Sequence, residues 1–177
     1  MNNFSFHLPT KVYFGKNQIT KLPEILKCYG NKVLLVYGGG SIKRIGLYDD
    51  IIKLCKKDNI EIFELSGIDP NPRIESVIKG GNICKEHDVD VVLAAGGGST
   101  IDCAKMIAAA AKSEEEPWEL VINPRKIKEV LPIVDILTLA ATGSEMDPFV
   151  VISDMNKNMK VGVACELFKP KASIMDP

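Results

Sequence analysis

The stretch GGGSTIDCAK, residues 96–105, decides how the rest of this chain is interpreted. It follows the apolar run 89–95 and leads into the alanine-rich segment 101–112, an order that predicts a buried strand, a glycine turn and a helix. Glycines let a backbone approach a ligand closely, and the first amides of a helix attract anions. The stretch therefore predicts a phosphate or pyrophosphate site, with Ser99 as a helix cap and Asp102 complementing the helix dipole. An ordinary strand-to-helix turn is the alternative.

Working outward, continuously apolar strands alternate with segments of helical periodicity, which is typical of a parallel sheet covered on both faces. The sequence therefore predicts an α/β fold, a Rossmann-like nucleotide-binding domain. Segment 113–118, SEEEPW, is expected to be a solvated loop. Strands are expected at 4–14 (interrupted by a proline), 32–37, 60–65, 89–95, 133–139 and 172–175, helices at 19–26, 47–55, 74–84 and 101–112, and a short hairpin at 150–153 and 161–164.

Two further turns follow predicted strands, and the carboxyl ends of parallel strands form the edge where ligands bind. The turn GGGS at 38–41 predicts a cradle for the adenosine end of a nucleotide, with a flexible turn as the alternative. No acid follows this strand to repel a 2′-phosphate, so we expect NADP(H) to be accepted at least as well as NAD(H). The hydroxyl-rich turn TLAATGSE at 138–145 suits hydrogen bonds to a ribose or a phosphate, or is an ordinary turn with a helix cap.

Composition excludes several classes of function. The 177 residues suffice for one substantial domain, and the 22 Lys and Arg against 23 Asp and Glu give no argument for a nucleic acid or membrane partner. Five cysteines without a CxxC pair predict reduced thiols and a cytoplasmic protein, and the N-terminus does not resemble a secretory signal. Only His7 and His87 are present, the second expected at a solvated helix end, so neither a catalytic residue nor a metal site is predicted.

These clusters together resemble the iron-containing (group III) alcohol dehydrogenases, and most closely their butanol-dehydrogenase-like branch. The resemblance covers the whole chain, because a set of short motifs occurs in the family's order. They lie at 3–4, 9–10, 14–16, 37–41, 69–72, 96–105, 142–146, 151–153 and 176–177.

The resemblance implies that residues 1–177 are the N-terminal dinucleotide-binding domain, of the dehydroquinate-synthase-like type, in an NAD(P)-dependent enzyme that interconverts alcohols and aldehydes. A helical domain absent from this chain would carry the ligands for Fe²⁺ or Zn²⁺. The implied partners are NADP or NAD and a small alcohol or aldehyde. NADP is slightly favoured because no acid follows the strand at 32–37, and the oligomeric state is left open, with a homo-oligomer as one alternative. A glycerol-dehydrogenase-like enzyme and a noncatalytic nucleotide-binding or assembly module are the alternatives.

The resemblance also implies which residues contact the cofactor. The glycines and Ser99 would cradle phosphates, the two threonines would bond to phosphate or ribose, and Lys160 would bond to the nicotinamide ribose. One departure from the family is Asp147, at a position usually occupied by Asn, where a carboxylate would repel phosphates unless it is paired. The implied cofactor residues are Gly38, Gly39, Ser41, Asn71, Gly97, Gly98, Ser99, Asp102, Thr138, Thr142, Val151 and Lys160.

Overall fold

A six-stranded parallel sheet forms the centre of the molecule, in a computed structural model that describes residue 3 and residues 7–177. The strands run in the order β1-β8-β5-β4-β2-β3, and every neighbouring pair is parallel. The α/β class and the parallel sheet predicted from the sequence are thereby confirmed. The strands of this sheet are β1 (Lys11–Phe14), β2 (Lys32–Tyr37), β3 (Glu61–Leu65), β4 (Val91–Gly96), β5 (Ile133–Leu137) and β8 (Ala172–Met175).

Helices cover both faces of the sheet, which explains why its central strands are mainly apolar, with Asp135 in β5 as a buried exception. The first three helices pack on one face and the last three on the other, so that each face has its own buried cluster. The helices are α1 (Leu22–Lys27), α2 (Ser41–Arg44), α3 (Leu47–Lys57), α4 (Ile74–His87), α5 (Gly98–Ala111) and α6 (Pro117–Ile122).

The strand order reverses between β2 and β4. The chain passes from β2 outward to β3, then returns over α4 to enter β4 on the other side of β2. In open α/β sheets, ligands bind at the carboxyl ends of the strands beside such a reversal. The turn after β2 and the turn after β4 therefore meet at the point where a ligand is expected.

A separate antiparallel hairpin, β6 (Phe149–Asp154) and β7 (Met159–Ala164), packs beside α5 and α6. Its inner residues Val150, Ile152 and Val163 belong to the same buried cluster as α5. Asp154 closes the hairpin turn by accepting hydrogen bonds from the amides of Asn156 and Lys157. The hairpin predicted from the sequence is present, and each strand extends beyond its expected range.

Several predicted boundaries were inexact. The helix expected at 101–112 begins at Gly98, and the strand expected at 133–139 ends at Leu137, so Thr138 lies in the following turn. The helix expected at 19–26 is a 3-10 turn at Gln18–Lys21 followed by α1. Of the predicted opening strand, 11–14 is observed as β1, 7–10 lies before it, and residues 4–6 lie outside the described residues.

The solvated loop expected at 113–118 was wrong for Trp118, and the solvated helix end expected at His87 was only partly right, because the residue is half-buried. The acidic run 114–116 is exposed, but Trp118 is buried in α6, where Glu116 caps the helix by accepting from the Trp118 amide. His87 does end its helix, yet its ring stacks on Phe63 at 4.2 Å between centroids. In residue 3 and residues 7–177, no helix has both the length and the apolar character needed to cross a membrane.

Candidate functional site

A cavity of about 780 Å³ opens at the carboxyl ends of β2 and β4, where the strand order reverses. Four segments form its walls: the turn after β2, the turn at the start of α5, the loop after β3, and the β6–β7 hairpin with the loop that precedes it. The lining residues are Gly39, Gly67, Ile68, Asp69, Pro70, Asn71, Pro72, Gly97, Gly98, Ser99, Thr100, Asp102, Leu139, Ala141, Thr142, Val151 and Lys160.

The floor of the cavity is the N-terminus of α5. Gly97 caps this helix in an extended conformation, and its carbonyl accepts from the amides of Thr100 and Ile101. The amides of Gly98 and Ser99 have no carbonyl partner within the described chain. A Cβ on Gly97 would contact only Leu139 Cβ, at 3.7 Å, and would otherwise occupy the cavity. Exposed amides beneath an open approach form an anion site.

The neighbouring glycines are required for packing. A Cβ on Gly98 would lie 3.1 Å from the hydroxyls of both Thr142 and Ser144, so the 138–149 loop rests directly on this residue. A Cβ on Gly96 would lie 2.6 Å from Thr100 Oγ1. Of the three glycines at 96–98, Gly97 is therefore the one whose missing side chain leaves space for a ligand.

Asn71 connects two walls of the cavity. Its backbone has a positive φ of 60°, a conformation that asparagine adopts more readily than most residues. Its amide donates to Ser99 Oγ at 3.4 Å, and its Oδ1 accepts from Lys160 Nζ at 2.5 Å. Ser99 therefore does not cap α5 as predicted, because it lies within the helix and contacts the opposite loop.

Asp102 is the one carboxylate on the α5 side of the cavity. Its Oδ2 accepts from the Val151 amide at 3.0 Å, which ties α5 to the hairpin. Its Oδ1 is buried without a partner among the described residues. Burial raises the pKa of Asp102, and the bond from the Val151 amide, the nearby Ser144 hydroxyl and the Lys105 charge oppose that shift. A buried acceptor without a donor is suited to a ligand that donates a hydrogen.

The structure brings most of the sequence-predicted residues together. Gly38, Ser41 and Thr138 are the exceptions, since they do not line the cavity. Gly38 lies just beneath it, Ser41 is exposed at the start of α2, and Thr138 lines an adjacent cavity of about 600 Å³. Those that line the main cavity are Gly39, Asn71, Gly97, Gly98, Ser99, Asp102, Thr142, Val151 and Lys160. Their contacts with a cofactor remain predictions.

Asp147 does not put a repulsive charge into the cavity. Its Oδ1 accepts from Lys105 Nζ at 2.8 Å and from the Phe149 amide at 2.9 Å. Lys105 has no exposed side-chain surface and is held entirely within the protein. The Asp147 carboxylate is therefore paired, as the sequence analysis required for it not to repel phosphates.

Sequence reasoning missed part of the wall. Asp69, Pro70 and Pro72 belong to the motif at 69–72 but were not among the implied cofactor residues. They line the cavity, and Asp69 pairs with Arg73 at 3.1 Å. The position of this motif after a strand of the predicted sheet was the available signal. Lys105 gave no signal, because a lysine on a helix ordinarily faces solvent.

The residues described supply no metal centre. In the range 7–177 together with residue 3, no three His, Cys, Asp or Glu side chains lie close enough to hold an ion. All five cysteines are free thiols, and burial raises the pKa of the Cys103 thiol to about 12. No chemical step is therefore assigned to a metal bound by these residues.

Comparison with known proteins gives one consistent family. A family model described as iron-containing alcohol dehydrogenase matches residues 9–177. The chain is 54% identical over its whole length to NADH-dependent butanol dehydrogenase A of Clostridium acetobutylicum, and 37% identical to an NADPH-dependent aldehyde reductase of Escherichia coli. It spans 46% of the length of each.

Solved structures agree with this result. The crystal structure of an NADH-dependent butanol dehydrogenase A from Thermotoga maritima superposes with a TM-score of 0.95 at 44% identity. That comparison covers 100% of this chain and 45% of the other. The similarity therefore concerns somewhat less than half of each relative.

Proposed function

We propose, because this chain belongs to the iron-containing alcohol dehydrogenase family, that its cavity binds a nicotinamide dinucleotide. The chain would form the nucleotide-binding part of an enzyme that interconverts alcohols and aldehydes. The observation that carries this proposal is the open turn at Gly97, with the unpartnered amides of Gly98 and Ser99 beneath it. These amides fit a diphosphate, and the bound nicotinamide would supply the hydride chemistry.

The other cavity residues fit the same ligand. The unpartnered Oδ1 of Asp102 would accept a hydrogen from the ligand, either from a ribose hydroxyl or from the carboxamide. Lys160, held by Asn71 at the far wall, would donate to ribose oxygens. Thr142 lies against Gly98 and would bond to phosphate or ribose. Each residue thus binds or orients the cofactor.

We further propose that NADPH is accepted at least as well as NADH. No carboxylate occurs at 38–41, and nothing lies within 4 Å of a Cβ placed on Gly39. A 2′-phosphate would therefore meet no repulsion at this turn. The relatives differ in the cofactor that they are named for. The Clostridium protein is NADH-dependent, and the Escherichia coli protein is NADPH-dependent.

The remaining parts of the account are also proposals. Residues 1–177 would be the dinucleotide-binding domain, and Fe²⁺ or Zn²⁺ in the complete enzyme would be held by residues outside this chain. Free thiols support a cytoplasmic location. The substrate would be a small alcohol or aldehyde, and the enzyme a homo-oligomer.

Calorimetric titration with NADH and NADPH tests the central proposal. Gly97→Val should weaken both ligands at least tenfold, about 1.4 kcal/mol, because its side chain fills the diphosphate position. Ala164→Val is the matched control, since it adds bulk at an exposed hairpin position that does not line the cavity. Unchanged affinity in a folded Gly97→Val variant would overturn the assignment.

A further inference from the structure

Lys105 is a buried cation inside the wall of the cofactor cavity. Its ammonium group donates to three oxygens: the carbonyl of Asp147 at 2.9 Å, the Oδ1 of Asp147 at 2.8 Å and the carbonyl of Phe149 at 3.0 Å. Each proton of the ammonium group therefore has an acceptor. All three acceptors belong to the chain that leads into and begins β6.

A second contact between the same two elements reinforces this attachment. Asp102, one helical turn before Lys105 on α5, accepts from the amide of Val151. Helix α5 is therefore hydrogen-bonded to two alternate residues of β6. Lys105 donates to the carbonyl of Phe149, and Asp102 accepts from the amide of Val151. The hairpin is not hydrogen-bonded into the six-stranded sheet as a further strand. Its cavity face is therefore positioned by these contacts together with its apolar packing on α5 and the bond from the Ser153 amide to the Pro72 carbonyl.

The α5 turn and the β6–β7 hairpin, on two sides of the cavity, would contact different parts of the proposed cofactor. The diphosphate would lie on the α5 turn, which belongs to the same helix as Lys105. Val151 and Lys160 of the hairpin also line the cavity, and they would meet the nicotinamide riboside half. Displacement of the hairpin should therefore affect one half of the ligand more than the other.

We propose that Lys105 is a positioning residue for the nicotinamide half of the cofactor. It does not line the cavity, and it acts by fixing the hairpin wall relative to the glycine turn of α5. This inference rests on the proposed function. It predicts selective loss of affinity for the intact dinucleotide, whereas a residue that merely stabilises the fold would affect every ligand equally.

The test compares NADH with ADP, which carries the adenosine diphosphate part alone. Lys105→Met keeps a similar side-chain volume and removes the three hydrogen bonds. We expect its NADH dissociation constant to rise at least tenfold, the fluorescence enhancement of bound NADH to fall, and the ADP dissociation constant to stay within twofold of wild type. Asp147→Asn, the conservative variant, keeps the Oδ1 and carbonyl acceptors but removes the charge paired with Lys105, so its loss of NADH affinity should be smaller than that of Lys105→Met, with ADP again within twofold.

Lys112→Met is the control, because Lys112 follows α5 and its exposed side chain pairs only with Glu129, at 3.5 Å. If Lys105→Met does not fold, Asp147→Ala provides the same comparison, with an expected threefold or larger loss for NADH and none for ADP. Equal losses for NADH and ADP, or no loss for either, would overturn the inference and leave the proposed function standing. Failure of the wild-type chain to bind either ligand would overturn both.

Discussion

Replacing Asp135 by asparagine should change how the stability of this protein depends on pH. Asp135 lies in the middle of β5, fully buried, and its Oδ1 accepts from the Ser173 hydroxyl at 2.6 Å while its Oδ2 has no partner among the described residues. Burial raises its pKa from 3.8 to about 8, the Ser173 bond opposes that shift, and the nearby charge of Glu145 adds to it. The native protein therefore holds a proton at neutral pH that the unfolded chain has lost.

The sign and size of the effect follow from proton linkage. Between pH 4 and 8 the native state binds one proton more than the unfolded state at this residue, so the free energy of unfolding falls as pH rises. The slope is about 1.4 kcal/mol per pH unit, which amounts to roughly 2.7 kcal/mol between pH 5 and 7. Above pH 8 both states are ionised, and the loss is complete.

An asparagine side chain is uncharged at every pH in this range, so Asp135→Asn should lack this component. We expect the stability of the variant minus that of wild type to rise by about 2–3 kcal/mol from pH 5 to pH 7 in urea unfolding at 25 °C. Asp49→Asn, the same substitution at an exposed position of α3, is the matched control for removing a carboxylate. A difference for Asp135→Asn that varies by less than about 0.5 kcal/mol would show that Asp135 is ionised in the native protein.

Four further predictions can be checked with simple measurements. Gly98→Val should lower the thermal midpoint as well as cofactor affinity, because its Cβ would lie 3.1 Å from two hydroxyls of the 142–144 loop; an unchanged midpoint would contradict this. Gly39→Asp should weaken NADPH at least tenfold more than NADH in calorimetry, and equal losses would count against the 2′-phosphate assignment. Gly80→Ala should cost about 1–3 kcal/mol in urea unfolding, since the added Cβ would lie 2.5 Å from Ile107 Cδ1; a neutral result would mean that α4 and α5 shift easily. Elemental analysis after incubation with Fe²⁺ or Zn²⁺ should find no stoichiometric metal, and turnover of butyraldehyde by this chain with such metal would show that a ligand set exists here.

The fold could be predicted largely because the apolar strands and glycine turns are local signals. A continuous run such as KVLLVY at 32–37 is typical of a strand buried on both faces, and the structure confirms it as β2. Boundaries were harder to predict. Helix α5 begins at Gly98 because its glycine turn contributes the first helical residues, although glycine is a weak helix former.

Local sequence signals predicted the site best where its residues lie in turns after strands, whereas Val151 and Lys160 of the hairpin were implied only by the family resemblance. Gly97 and Asn71 stand at such positions and line the cavity. The role of Lys105 could not be predicted, because its partners Asp147 and Phe149 lie more than forty residues away and only the packed hairpin brings them together. Asp135 likewise resembled an ordinary polar interruption of a strand, and only the fold shows its burial.

The most direct test of the account is a two-dimensional ¹⁵N–¹H spectrum of this 19.4 kDa chain during titration with NADH. If the diphosphate lies on the N-terminus of α5, the amides of Gly98 and Ser99 should shift most, and the amide of Gly39 should shift with them. The same amides should shift with ADP, whereas those of Val151 and Lys160 should respond only to NADH. Binding of NADH that leaves Gly98 and Ser99 unperturbed while other amides move would contradict the central claim that this helix terminus is the cofactor site.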